Sequence, residues 1–389
     1  MSAIQLLVSE AEKIEDFRGK RGRRYELRHL IALIVLAVVA GADDFAAIEA
    51  YCKSKVGFLG DRGLLRGGRI PSHDLFRLVL QKLDKEAFAR VLAQWLSLAA
   101  ERHSPPRGAA DGLPPRLIHI DGKSLRASRD GGAHSRSALQ IVSAYCGDSR
   151  VTVAQSVIDA KSCEKTAIPA LLGWLDLRDA LVTIDAVATY KRTAALIRER
   201  RGDYLLALKR NNKLLFGRVA RHFASTGETT DFFQQENTGH GRWEWRKCYV
   251  VDASHGPFGL EGWADARSVI LLESARRTGG KLGVEQRYYL SSLPPNAGAL
   301  AHGIRRHWSV ENELHWSLDV SFNEDRCRIK HKQAAANFAA IRRFALGLLR
   351  NANLSKLGIK NQRLQAAWDD TFLEKLFNLF VHVSQTVTI

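Results

Sequence analysis

The chain has 389 residues, 46% of them hydrophobic and 25% charged, which is enough for one large domain or two ordinary ones and too apolar for a disordered polypeptide. Its 58 Lys and Arg stand against 41 Asp and Glu, and the net charge of +17 favours a polyanionic partner, since each phosphate contact releases counterions. Five scattered cysteines (Cys52, Cys146, Cys163, Cys248 and Cys327) show no zinc-ligand spacing and fit a reduced, cytoplasmic protein, while the most apolar run, 30–42, is shorter than the about 20 residues that a membrane helix needs.

Residues 1–102 read as a helical N-terminal domain. The run 27–41 predicts a buried apolar helix, and Asp43-Asp44 begin another. In "IPSHDLFRLVLQKL", Ser72 or Asp74 is the expected N-cap, with Leu75, Val79 and Leu83 as the periodic face. The stretch 103–116, "HSPPRGAADGLPPR", has four prolines and reads as a linker.

The register changes after it. "RLIHIDG", "ALQIVSAYC" and "VTVAQSVID" predict three neighbouring antiparallel strands, the last two joined by the turn "GDSR". A helix over 164–174, the continuous apolar strand "ALVTIDA", a basic amphipathic helix over 191–201 and the strand "DYLLALK" follow. The order is βββαβαβ, that of an α/β, RNase H-like core spanning 117–350. Residues 216–293 read as a β-rich insertion, with "WEWRKCYVVD" and "SVILLESAR" as strands. Helices return from about 297, and 351–389 is expected to be a helical tail.

In this topology the first and fourth strands are neighbours. Asp121 ends the first and Asp185 ends the fourth, each after an Ile. An Asp at a strand end commonly caps the next turn. Two of them at matching positions instead predict paired carboxylates on rigid elements, hard oxygen ligands of the kind Mg²⁺ prefers. A third acid is expected in "RRHWSVENELHWSLDVSFNEDRCRIK". With Val310, Leu314 and Leu318 as the packed stripe and about 100° per residue, Glu311 lies about 60° from its centre. On the same geometry Glu313 lies about 100° away, Asp319 about 140° and Asn312 about 160°. Glu311 is therefore expected to border the packed face, and Glu313 and Asp319 to be more exposed. A surface pair between Glu311 and His315 at i+4 is the simpler alternative. Three such carboxylates suit two Mg²⁺ ions (or Mn²⁺ as a substitute) about 3.5–4 Å apart for in-line displacement at phosphorus.

At these residues the chain resembles the DDE transposases of the ISAs-type insertion sequences, which include the H-repeat-associated proteins. The resemblance runs through "LAVVAGADDFAAIE", "IDGKSLRAS", "KSCEKTAIPALLGWLDL", "VTIDA", "GDYLLALKRNN", "GHGRWEWR", "YYLSSL" and the block from Arg305 to Lys330, and covers nearly the whole chain. It implies that Asp121, Asp185 and Glu311 form the catalytic triad. It implies too that a homodimer acts on double-stranded DNA, at the paired terminal inverted repeats of an element. There are departures: Tyr190 stands near a usual Gln, Asn212 stands where a Gln is common, and Leu318 stands where related families carry a Lys. These changes spare the triad and bear on the handling of DNA ends.

The basic residues that follow these strands, or that stand just before or after the glutamate helix, are the candidate phosphate contacts. They are Lys123 and Arg126, Lys191 and Arg192, Lys209 and Arg210, Arg305 and Arg306, and Arg326, Arg328 and Lys330; a solvated basic face is the plainer alternative. Trp308 and Trp316 could stack on an unpaired base, although core packing is the simpler expectation. His240 and Arg242 could reach DNA from the insertion. Arg18, Lys20, Arg21, Arg23 and Arg24, with the helix near Ser72, could recognise element ends. Two other readings remain: a Mg²⁺-dependent nuclease of the same fold that never joins ends, and a DNA-binding descendant without chemistry. The location expected is the cytoplasm, on the nucleoid.

Overall fold

The computed structural model describes residues 3–19, 23–103, 112–128, 138–158, 164–225, 227–239, 242–278 and 281–380. Most of the proline-rich segment, 104–111, and the last nine residues, 381–389, lie outside these, as does Cys163. Six helices come first: α1 (Ala3–Ala11), α2 (Leu27–Val39), α3 (Phe45–Ser54), α4 (Val56–Asp61), α5 (His73–Lys82) and α6 (Lys85–His103). Helix α2 is apolar all round because it is enclosed all round, with every residue from Leu30 to Val39 buried. The Asp44 carboxylate caps α3 by accepting from the Ala47 amide at 2.8 Å. Ser72, rather than Asp74, caps α5, accepting from the Leu75 amide at 3.4 Å. Of the expected stripe, Val79 is buried in α5 and Leu83 just past its end, while Leu75 is half-buried; Phe76 and Leu80 complete the buried face.

The sheet begins with β1 (Arg116–Leu125), β2 (Leu139–Cys146) and β3 (Val151–Ile158). It continues through α7 (Glu164–Gly173), β4 (Ala180–Ile184), α8 (Lys191–Glu199) and β5 (Asp203–Leu208), so the βββαβαβ order is present. Strands β1–β2 and β2–β3 pair antiparallel, while β1–β4 and β4–β5 pair parallel. The expected β insertion needs two corrections. Phe216 lies in a helix, α9 (Lys213–Ser225), whose Leu215, Val219 and His222 are buried at i, i+4 and i+7. The four strands that follow are β6 (Asp231–Gly239), β7 (Arg242–Asp252), β8 (Ser268–Thr278) and β9 (Lys281–Ser291). They do not stand apart, because β9 pairs antiparallel with β5 from Leu205↔Ser291 to Leu208↔Tyr288. Among the described residues one nine-stranded sheet results, in the order β3-β2-β1-β4-β5-β9-β8-β7-β6.

The chain returns to helix with α10 (Ala297–His307), a π-helical turn (Val310–His315), α11 (Trp316–Phe322), α12 (Lys332–Asn351), α13 (Ile359–Trp368) and α14 (Asp370–Phe377). The first six helices and the segment from Val310 to Phe380 share one buried apolar cluster. Among the described residues, the N-terminal helices and the segment after residue 351 are thus packed together in one core. Buried guanidinium groups tie the pieces together: Arg363 reaches Asp43 at 2.8 Å and the Val38 carbonyl at 3.0 Å, and Arg343 pairs with the enclosed Glu324 at 2.8 Å. No helix of the described residues is long and apolar enough to cross a membrane.

Candidate active site

Parallel pairing sets Ile120 of β1 opposite Ile184 of β4. The next residue in each strand direction is an aspartate, Asp121 within β1 and Asp185 just past β4. Both line a cavity of about 510 Å³, and Glu311 from the π-helical turn lines it too. The fold therefore directs all three predicted acids to one space. Burial pushes the Asp185 carboxyl up, but the Ala186 amide and the Lys209 ammonium outweigh it and hold the group below its ordinary value. Asp121 accepts from the Gly122 amide at 2.8 Å, and His315 Nδ1 lies 3.6 Å from its Oδ2. His315 is thus beside Asp121, where a pair with Glu311 was the alternative. Burial, with Arg343 and Lys123 nearby, pushes His315 down to about 3, so its ring is neutral.

The expected stripe of Val310, Leu314 and Leu318 is buried, but the exposure of the acids around it needs correction. Glu311 is exposed and faces the cavity, whereas Glu313 and Asp319 are half-buried and bonded. Glu313 accepts from the Tyr145 hydroxyl at 2.9 Å, and Asp319 accepts from Lys123 at 2.7 Å. The reason is the π turn, which carries more residues per turn than an α-helix and so breaks the angular spacing assumed from the sequence. Such turns are often found at functional sites.

Besides Trp308, the cavity has walls that the sequence reading did not single out. His119 Nδ1 and Thr183 Oγ1 are 2.7 Å apart, and Thr183 Oγ1 is 2.7 Å from His307 Nδ1. This chain crosses from β1 through β4 to the last turn of α10 and ends at the cavity. Burial pushes His307 down to about 4, against the pull of Asp185. Strand β9 adds Glu285, Arg287 and Tyr289, and the Arg287 guanidinium lies 4.6 Å from the centroid of Trp308. The one signal available was position: His307 and Trp308 lie four and three residues before Glu311. Trp316 does not enter the core, being 59% exposed, because it sits on the opposite side of the helix from Leu314 and Leu318.

The predicted cations fall into separate groups. Lys123 is enclosed, its ammonium 2.7 Å from Asp319 and 3.3 Å from Asp325; following Asp121 by two residues, it faces the same side of the sheet and meets the helix after Glu311 rather than solvent. Arg306 is likewise engaged, donating to the Gly147 carbonyl at 2.7 Å near the start of β1, away from the carboxylates. Lys191 donates to the Glu261 carbonyl, and Arg305 is 3.5 Å from Gln235. Lys209 lies 3.0 and 3.1 Å from the two Asp185 oxygens, and Arg210 lines the cavity beside it. Arg126, Arg192, Arg326, Arg328 and Lys330 are exposed, with Arg126 3.3 Å from Asp325 and Lys330 donating to the Ala127 carbonyl at 3.0 Å. Asn212, one of the departures, donates to the Thr189 carbonyl at 2.7 Å. His240, Lys20 and Arg21 lie outside the described residues, and Arg242 opens β7. Arg18 and Arg23 both pair with Asp16, at 2.9 and 3.4 Å.

Among the described residues, no three His, Cys, Asp or Glu side chains are gathered closely enough to hold a metal ion. The donor types nonetheless fit a hard divalent cation: three carboxylates face one cavity, two of them on adjacent strands, and a cationic ammonium already sits on one.

Comparison with known proteins bears on the family. Residues 112–348 match the family model described as "Transposase DDE domain", and residues 9–96 match that described as "DDE_Tnp_1-associated". YncI of Escherichia coli O157:H7, named as a transposase, is 34% identical over 382 residues, 96% of this chain and 95% of its own length. YhhI of Escherichia coli K12, named as an H repeat-associated transposase, is 31% identical over 380 residues, 95% of this chain and 97% of its own. A solved chain from a piggyBac transposase synaptic complex with hairpin DNA matches all of this chain and 82% of its own length, at 12% identity and a TM-score of 0.41.

Proposed function

The chain belongs to the DDE transposases, DNA cleavage and joining enzymes of insertion-sequence type, and from that premise we propose that Asp121, Asp185 and Glu311 are its catalytic carboxylates, on an RNase H-like core that cuts and transfers strands at the terminal inverted repeats of its element. The observation that carries this reading is the convergence of the three acids on one cavity from β1, β4 and the π turn. They would hold two Mg²⁺ ions, or Mn²⁺. When bound, these supply the positive charge that activates a water or a 3′-hydroxyl and stabilises the leaving oxygen.

The chain's own residues do the positioning. Asp121 and Asp185 are fixed on paired strands, so their spacing costs little reorganisation. Arg210 borders the cavity and takes a backbone phosphate. His307 stays neutral at pH 7 and, fixed through Thr183, keeps one ring edge toward the same space. Arg126, Arg326, Arg328 and Lys330, exposed near the end of β1 and after the glutamate helix, carry the duplex outward. The enzyme works in the cytoplasm on nucleoid DNA, as a homodimer on paired ends.

The test is cleavage and joining on a donor plasmid that carries the native flanking DNA, with Mg²⁺. Cutting at the element boundary followed by joining to a target, both lost in Asp185→Ala, is the expected result. Cutting without joining makes the protein a nuclease, and specific binding without cutting makes it a DNA-binding descendant.

A further inference from the structure

Lys209 lies just past β5, next to the strand that delivers Asp185, and its ammonium spans both carboxylate oxygens at 3.0 and 3.1 Å. The backbone around this pair is tied down. Asn211 donates to the Ala186 carbonyl at 2.5 Å, Asn212 to the Thr189 carbonyl at 2.7 Å, and the Thr189 hydroxyl to the Ala207 carbonyl at 2.7 Å. These three bonds lace the end of β5 and the segment after it to the segment after β4. The Lys209 side chain itself is not tied in this way, being 62% exposed. A rotamer change alone releases it, with no loop movement. Lys123 contrasts with it: that side chain is 9% exposed and its ammonium is held between two carboxylates, so it has nowhere to go.

An exposed lysine–carboxylate pair is weak and exchanges readily for a stronger partner. A DNA phosphate is such a partner, and Arg210, at the same cavity, draws one in. We propose that Lys209 is an electrostatic latch: it occupies Asp185 while no DNA is bound and leaves it for a phosphate when DNA arrives, so that DNA binding frees the carboxylate for a divalent cation. This rests on the reading of Asp185 as a metal ligand. It makes metal and DNA binding mutually reinforcing, each raising the affinity of the other by the same factor, and it lowers the metal affinity of the unbound enzyme.

The experiment is a Mn²⁺ titration of the whole chain, followed by electron paramagnetic resonance, with and without a short duplex from the native flanking DNA. Lys209→Met is expected to bind Mn²⁺ about five- to ten-fold more tightly than wild type in the absence of DNA, the effect of removing one nearby charge at a partly exposed site. Lys209→Arg keeps the charge and is expected to bind as weakly as wild type. The duplex is expected to raise the Mn²⁺ affinity of wild type by more than that of Lys209→Met. Equal or weaker Mn²⁺ binding by Lys209→Met overturns the latch. Asp185→Asn separates the two claims. If it removes Mn²⁺ binding while Lys209→Met changes nothing, the latch fails and the site stands; if it leaves Mn²⁺ binding intact, the site assignment fails and the latch with it.

Discussion

The Lys123 ammonium lies 2.7 Å from Asp319, joining the strand that carries Asp121 to the helix that follows Glu311. Two of the three acids are therefore held in register by an ion pair between residues far apart in the chain. Burial pushes the Asp319 carboxyl up, and Lys123 opposes that shift. Lys123→Met strands the carboxylate. The expected loss is about 2 kcal/mol, below the figure for a fully buried pair because Asp319 is a third exposed. Urea unfolding reads it, and the double variant Lys123→Met/Asp319→Asn should recover part. Loss of DNA affinity with unchanged stability would make Lys123 a phosphate contact instead.

The histidines set a pH dependence. His307 falls to about 4 and His315 to about 3 in the folded chain, against about 6.5 when unfolded. Between those values the unfolded state binds more protons, so stability is full above about pH 6.5 and is lost as pH falls. His307 is half-buried at the cavity, so solvent screening keeps its share to about 1 kcal/mol between pH 7 and pH 5. Unfolding free energies at the two pH values should differ less in His307→Gln than in wild type. An equal difference in both would show that His307 titrates normally.

Gly147 has a packing role. A Cβ there would lie 2.8 Å from Nε2 of the buried His119 and 3.2 Å from Arg306. Gly147→Ala must displace the His119 ring, and with it the bond to Thr183 that supports His307. We expect a loss of about 1–3 kcal/mol, the usual cost of overpacking, and a fall in cleavage rate although the substitution lies just past β2, beside the start of β1. A stable variant with full activity would show that the His119–Thr183–His307 chain is not needed.

Much of the sheet was legible because its strands are apolar runs with turns between them, and their order alone places Asp121 beside Asp185. Strands β6 and β9 were harder to see: "DFFQQENTG" and "KLGVEQRYYL" mix polar and apolar residues with little regular alternation. The helix over 213–225 does show its period, but sits in a stretch otherwise rich in β signal. The helical wheel that sets Glu311 at the border of the packed face fails locally, since the π turn exposes Glu311 and draws in Glu313; the choice of Glu311 rests on the family resemblance. Lys123 reads as a free cation until its partner, nearly two hundred positions away, is seen. The shared core of the two chain ends has the same cause. It also means that removing residues 1–102 would uncover the core around α12, so such a truncation does not isolate DNA-end recognition.

The most direct measurement compares Glu311→Gln with Glu313→Gln in Mg²⁺-dependent cleavage of a donor plasmid carrying the native ends, with DNA binding measured alongside. Both glutamates sit in the same turn, but Glu311 faces the cavity of Asp121 and Asp185, while Glu313 is bonded to Tyr145 and its backbone carbonyl to Arg350. The account predicts that Glu311→Gln binds DNA and does not cut, and that Glu313→Gln cuts, with a loss of stability of about 1 kcal/mol. Cleavage by Glu311→Gln, with none by a folded Glu313→Gln, would contradict it.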